Sequence, residues 1–186
     1  AGLPLTESLP VSDALAYTRT AIVLHWLTVL LVGALFGLGW YMGDLPKGPW
    51  RGEMIALHKS LGITVFLLTL GRGYWRLRHP PPALPAALPR WQSRLAHGVQ
   101  HVFYVLLLAQ PVLGYLSSSF TPYKTRYLGL QLPVWAAPDP ALNELFSELH
   151  EAGATALLAV IALHVAGAAS HGLRQGDNLI RRMWRW

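Results

Sequence analysis

The chain contains no cysteine among its 186 residues. That absence excludes disulfide bonds, iron–sulfur clusters, thiol catalysis and the covalent attachment of c-type haem, because each of these needs the thiol. Charged residues are also scarce: they make up 13% of the chain, against roughly 25% in soluble domains. Because apolar residues reach 53% and run in long stretches, the composition indicates a membrane protein.

Four apolar stretches are each long enough to cross a bilayer as a helix. They cover roughly Thr20–Met42, Glu53–Trp75, Arg94–Ser118 and Leu145–Gly172, and a spanning helix needs about 20 residues. Only helices and closed barrels satisfy their backbone in lipid, and these stretches lack the alternation of barrel strands. The sequence therefore predicts an all-α fold: an integral membrane four-helix up-down bundle that forms one domain over residues 1–186.

Arginine is concentrated on one side of this predicted bundle. The region that joins the second and third spans and the C-terminal tail hold Arg72, Arg76, Arg78, Arg90, Arg94, Arg174, Arg181, Arg182 and Arg185. The other two connections mix basic with acidic residues. The positive-inside rule then predicts that both termini are cytoplasmic. Since the arginines flank membrane spans, we expect membrane lipid and no nucleic acid as a partner of this basic surface.

Four histidines lie inside or at the edge of the apolar stretches: His25, His58, His150 and His164. An ionisable side chain is costly at such a place, so it indicates function. His150 and His164 are 14 residues apart, so they share one helix face and lie about 21 Å apart along the axis. That separation suits two cofactors stacked across an apolar core about 30 Å thick.

Depth in the bilayer pairs these histidines. His25 and His164 fall toward the cytoplasmic face, whereas His58 and His150 fall toward the periplasmic face. Two imidazoles on one iron leave no open coordination position, which favours electron transfer, and a bundle core commonly holds such cofactors. The pattern predicts two b-type haems, one for each pair. The alternative is that each histidine is only a hydrogen-bonded residue of the bundle.

Zinc is a poorer candidate for these histidines. Structural zinc sites are usually tetrahedral and rich in cysteine, whereas each predicted cluster offers two histidines from opposing helices. The HExxH motif of zinc proteases is also absent, because no second histidine follows His150 at the required spacing.

Glycines accompany three of the histidines on their own helix faces. Gly62 follows His58 by four residues, and Gly153 and Gly167 each follow a histidine by three. A flat macrocycle needs such clearance, so these glycines support a haem. The alternative is ordinary small-residue packing between membrane helices.

Further histidines and arginines cluster at the predicted cytoplasmic end. His97 and His101 lie one turn apart on the third span, and His171 lies at the end of the fourth. His97 or His101 replaces an iron ligand in one reading; in the other, these histidines contact a haem propionate or a quinone. Arg94 and Arg174 are available for the same contacts. Because histidine delivers protons near neutral pH, we expect a quinone at this end.

Several motifs resemble those of one known family. They are AIVLHWL (21–27), ALHKSLG (56–62), LPRWQSRLAH (88–97), LLLAQPVLGYLSSS (106–119), APDPALNELFSELHE (137–151), ALHVAGAASH (162–171) and GDNLIRRM (176–183). Their order over nearly the whole chain resembles the bacterial cytochrome b561 family of four-helix di-haem proteins. The resemblance implies a multi-pass protein of the bacterial inner membrane with two haem b, one bound by His25 and His164 and the other by His58 and His150.

Among proteins of this length, the chain is similar to the superoxide oxidase type. This similarity implies an oxidoreductase that oxidises periplasmic superoxide and reduces ubiquinone. Lys59 follows His58 directly, and Lys47, Arg51, Lys124 and Arg126 lie on the same side. Because cations draw a small anion toward a site, Lys59 is the expected catalytic contact. Lipid phosphates and haem propionates are the alternative partners of these cations.

Two other functions stay open on the sequence. The chain is alternatively a cytochrome b subunit that exchanges electrons between the quinone pool and a periplasmic redox protein. A passive transporter or scaffold is the non-enzymatic alternative, and it would bind no haem.

Overall fold

Four long helices account for most of the chain. A computed structural model describes residues 17–83, 89–174 and 183. It contains α1 (Arg19–Asp44), α2 (Pro49–Arg78), α3 (Arg90–Ser119) and α4 (Pro140–Arg174), with β1 (Arg126–Tyr127) and β2 (Leu130–Gln131) between α3 and α4. All four helices are long and apolar enough to cross a membrane. The predicted all-α four-helix membrane bundle is confirmed.

Some predicted features lie outside the described residues. These are residues 84–88 after α2, the tail arginines Arg181, Arg182 and Arg185, and the side chains of His171 and Arg174. One residue of the tail is described: the indole N–H of Trp26 on α1 donates to the carbonyl of Met183 at 2.7 Å.

The helices extend past the predicted spans, and α4 does so because its first turn is capped by a polar side chain. α4 begins at Pro140, and the carboxylate of Asp139 accepts hydrogen bonds from the N–H groups of Ala141 at 3.0 Å and Leu142 at 3.1 Å. Aspartate before the first turn and proline at its start both favour a helix N-terminus. The apolar stretch begins at Leu145, five residues after the helix start that Asp139 and Pro140 signal in the sequence.

Packing around the bundle is uneven. α1 packs on α2, α2 on α3 and α3 on α4, whereas α4 makes few contacts with α1 or α2 within the described residues. A gap therefore separates α4 from the first two helices along much of their length. In each of the two histidine pairs described below, one ring faces the other across this gap.

One cluster of buried apolar side chains takes one residue from each helix and forms a layer: Val32, Val65, Leu107 and Leu157. Leu157 lies seven residues from both His150 and His164, which is about 10 Å along the helix axis in either direction. Val32 and Val65 likewise follow His25 and His58 by seven residues. The layer consequently lies between two levels of histidine.

A short hairpin covers one end of the bundle. Its turn residues, Leu128 and Gly129, have φ of 49° and 87°, and positive φ at both central positions is typical of a type I′ hairpin turn. The hydroxyl of Ser60 on α2 accepts from the N–H of Leu128 at 3.2 Å. Its own proton is shared between the carbonyl of Ala56 at 3.0 Å and that of Arg126 at 3.4 Å. The sequence analysis contained no strand here, because two-residue strands show no alternating pattern.

Candidate cofactor sites between the helices

His58 on α2 and His150 on α4 face each other across the gap. Their ring centroids are 6.3 Å apart, with an angle of 77° between the ring planes. Two imidazoles that bind one metal ion from opposite sides, each at about 2.0 Å, have centroids roughly 6 Å apart. The separation therefore fits one metal atom between the rings.

Backbone and glycine contacts orient the ring of His150. Its Nδ1 donates to the carbonyl oxygen of Gln110 on α3 at 3.0 Å, so Nε2 is free to bind a metal, as is usual for histidine ligands. α3 can come this close to the ring because Gly114 has no side chain. A Cβ at that position would lie only 3.2 Å from Cε1 of His150. Nδ1 of His58 is buried beside the backbone of Leu35 without reaching hydrogen-bond geometry.

His25 on α1 and His164 on α4 form the second pair. Their centroids are 6.5 Å apart at an interplanar angle of 64°, which again fits one metal atom between them. The ring of Phe103 on α3 lies edge-on to His164 at 5.4 Å. Arg72 on α2 lies beside this pair, with its Nη2 atom 3.4 Å from Nδ1 of His25.

The histidine rings that face each other in the structure are the same pairs that were predicted from their depth in the bilayer. Among the described residues, no group of three or more His, Cys, Asp or Glu side chains is placed to hold a metal ion. A site of only two histidines suits iron in haem, because the macrocycle supplies the remaining nitrogen ligands. The residues present therefore fit two axial-ligand pairs, whereas they do not fit a four-ligand zinc site. That the pairs bind haem iron stays a prediction.

A cavity opens at the level of His58 and His150. Both rings line it, together with Lys59, Gly62 and Gly114. A second cavity, under the α3–α4 connection, is lined by Tyr123, Lys124 and Trp135 among others. Both cavities share three lining residues, Tyr115, Ser118 and Thr125. The structure thus places the predicted Lys59 beside His58 in a partly open and mostly apolar cavity.

The glycines fall into two groups. Gly62 lines the cavity and has open space where a Cβ would point, as does Gly167. A Cβ on Gly153 would instead collide with the side chain of Gln110, so Gly153 serves the packing of α3 against α4. Gly114 was missed by sequence reasoning because no histidine lies near it in the chain.

The other predicted contacts are less enclosed. His97 and His101 are exposed on α3, and their Nδ1 atoms bond the carbonyls of Ser93 and His97 in the preceding turn, each at 2.7 Å. Arg94 is exposed on the same helix. These residues are not drawn into either histidine pair. Their predicted contact with quinone or propionate stays a prediction, as does that of His171 and Arg174.

Arg72 is the site residue that the sequence analysis used only for orientation. It lies 14 residues after His58 and seven after Val65, so it shares their helix face at the level of the other pair. The spacing that linked His150 to His164 would have found it.

Comparison with known proteins gives a consistent result. The profile of the prokaryotic cytochrome b561 family matches residues 16–186. Cytochrome b561 homolog 1 of Escherichia coli (strain K12) is 28% identical over 168 residues, covering 90% of this chain and 96% of that protein. Cytochrome b561 homolog 2 of the same organism is 30% identical over 171 residues, covering 90% of each.

A third relative is the probable superoxide oxidase CybB of Yersinia pestis. It is 30% identical over 170 residues, covering 90% of this chain and 94% of that protein. The family is one of transmembrane electron transfer and implies b-type haem. With four spanning helices and a family profile matched over nearly its whole length, this multi-pass membrane protein belongs to the prokaryotic cytochrome b561 family.

Proposed function

We propose that this protein holds two b haems and moves electrons across the membrane from superoxide to ubiquinone. The main observation behind this proposal is that two pairs of histidines lie at two levels of one bundle. The ring centroids are 6.3 Å apart in one pair and 6.5 Å apart in the other. One buried apolar layer separates the two levels. Such an arrangement serves to relay electrons along the bundle axis.

The four histidines are the proposed axial ligands. His58 and His150 bind one haem, and His25 and His164 bind the other. Haem, when bound, supplies reversible one-electron chemistry, and imidazole on both sides of the iron leaves no position for oxygen to bind. The hydrogen bond from His150 to Gln110 keeps Nε2 of that ligand directed into the gap.

Superoxide is the proposed electron donor at the His58–His150 level. Two superoxide ions each give up one electron and leave as O₂, and one ubiquinone takes both electrons with two protons to become ubiquinol. Lys59 lines the cavity with both rings, and its cation would attract a small anion there. The 30% identity to a protein named probable superoxide oxidase supports this choice of donor.

Ubiquinone is the proposed acceptor at the opposite level, near His25 and His164. His97 and His101 are exposed on the surface of α3, where a lipid-soluble quinone would approach, and histidine suits proton delivery near neutral pH. We further propose that this end faces the cytoplasm of a bacterial inner membrane. The arginines around α2 and α3 then obey the positive-inside rule.

Superoxide pulses on the haem-loaded protein test the function. We expect haem reduction without ubiquinone and ubiquinol formation with it. Lys59→Glu should lower the rate and weaken its salt dependence while both haems stay bound, whereas Lys47→Glu, an exposed control, should change the rate less. Absence of superoxide-driven reduction in the wild type would exclude this donor. Co-purification of a stoichiometric redox protein would then favour the electron-transfer subunit.

A further inference from the structure

The helices α1, α2 and α4 each present residues at a seven-residue spacing to the two levels of the gap. At the His58–His150 level, α1 and α3 approach the rings most closely through Gly39 and Gly114, whose Cβ positions would contact them. At the other level, α2 contributes Arg72, one heptad beyond the buried Val65. Each level thus has one half-buried cation from α2, Lys59 or Arg72. Of these two described cations, only Arg72 contacts a histidine ring through its side chain.

Arg72 lies beside the His25–His164 pair. Its Nη2 atom is 3.4 Å from Nδ1 of His25, whose ring centroid is 6.5 Å from that of His164. At the other level Lys59 lines the cavity with both rings. A guanidinium is always charged, and an arginine inside a membrane segment is costly enough to indicate function.

A fixed cation at this place changes the balance between the two oxidation states of a haem. The ferric form carries one more positive charge than the ferrous form, so a nearby cation disfavours the ferric form and raises the reduction potential. The effect is strong where water is excluded, because Coulomb energies scale inversely with the effective dielectric constant. Charge and burial around haem are established ways for a protein to tune its potential.

The contact with His25 changes character once iron is bound. If Nε2 of His25 held the iron of a haem, Nδ1 would carry the proton and could not accept a hydrogen bond from Arg72. The guanidinium must therefore act on the pair through its charge rather than through that bond. A propionate of the haem is the competing partner for the same side chain.

We infer that Arg72 sets the direction of electron flow by making the His25–His164 haem the higher-potential centre. One electron leaving the His58–His150 level oxidises that centre and reduces the other by the same single electron. The inference rests on the proposed haem sites, and it does not depend on which donor or acceptor is used.

Redox titration of the haem-loaded protein tests the inference. The two spectral components are assigned with His25→Ala and His58→Ala, and chemical mediators replace superoxide and ubiquinone. We expect R72Q or R72M to lower the midpoint potential of the His25–His164 component more than that of the other. R72K should keep the wild-type order of the two potentials. R78Q, which removes an equal charge from an exposed site over the ring of Tyr74, should change neither appreciably.

Two results would overturn the inference. One is a loaded R72Q or R72M protein in which both potentials are unchanged or shift equally. The other is selective loss of the His25–His164 haem from R72Q, R72M and R72K alike, which would make the guanidinium an anchor for a propionate. A failure of superoxide to reduce the protein would leave this titration intact, whereas loss of both components in His25→Ala would contradict the haem sites themselves.

Discussion

Replacing Gly114 with alanine should displace the ring of His150. The added Cβ would lie 3.2 Å from Cε1 and 3.3 Å from Nδ1 of that ring. Carbon atoms in ordinary contact are about 3.5–4.0 Å apart, so the ring must move by about 0.3 Å to reach the near end of that range. Metal–ligand distances tolerate only about ±0.2 Å. The displacement also lengthens the 3.0 Å hydrogen bond to Gln110.

We therefore expect Gly114→Ala to weaken haem binding at the His58–His150 site alone. Loss of outer-shell support for a ligand costs about 10- to 100-fold in affinity, and we expect a change of that order. Haem titration into apoprotein, followed by absorbance and by electron paramagnetic resonance, measures it. Gly37→Ala is the matched control, because nothing lies within 4 Å of its Cβ position. Unchanged affinity and an unchanged resonance spectrum in Gly114→Ala would refute the reasoning.

Three further substitutions probe the packing around the sites. Leu157→Ala should destabilise the bundle by about 2 kcal/mol, since it leaves a cavity between the two levels, and mixed-micelle unfolding should show both haem components weakened together. Ser60→Ala should release the hairpin by removing contacts worth roughly 1–2 kcal/mol, which hydrogen exchange at residues 126–131 would detect. Gly153→Ala should loosen α3 from α4 by roughly 1 kcal/mol through its collision with Gln110, measured by the same unfolding assay.

Each of these three has an internal control. Val165→Ala removes an exposed apolar side chain from the same helix as Leu157 and should leave stability nearly unchanged. Ser60→Thr keeps the hydroxyl and should keep the hairpin protected. Pairing Gly153→Ala with Gln110→Ala should restore the lost stability, because the collision is removed. A double variant as unstable as Gly153→Ala alone would contradict the proposed contact.

The 14-residue spacing of His150 and His164, together with the depth of the four histidines in the bilayer, was the main basis for predicting which of them face each other. A strict seven-residue step keeps His150, Leu157 and His164 on one face, and apolar stretches define spanning helices without any tertiary information. The four-helix bundle and the facing of the histidines therefore followed from one-dimensional patterns. Hydropathy alone did not give the helix ends, because a first turn such as that of α4 is polar; its start is signalled by the capping residues Asp139 and Pro140 instead.

The contacts between helices could not be predicted from the sequence. The approach of Gly114 to His150 depends on how α3 packs on α4, and small residues in membrane helices serve many kinds of packing. The hairpin on Ser60 joins segments far apart in the chain through single hydrogen bonds. Arg72 was missed for a different reason. Its 14-residue spacing from His58 is visible in the sequence, but an arginine near the end of a span was taken only as a sign of the orientation of the protein in the membrane.

The pairing of histidines with haems is tested most directly by single alanine substitutions at the four proposed ligands. Absorbance and electron paramagnetic resonance of the purified variants would be recorded against the wild type. We predict that His58→Ala and His150→Ala lose one and the same haem component, and that His25→Ala and His164→Ala lose the other. Loss of the same component in His25→Ala and His58→Ala, or retention of both components in all four variants, would contradict the account.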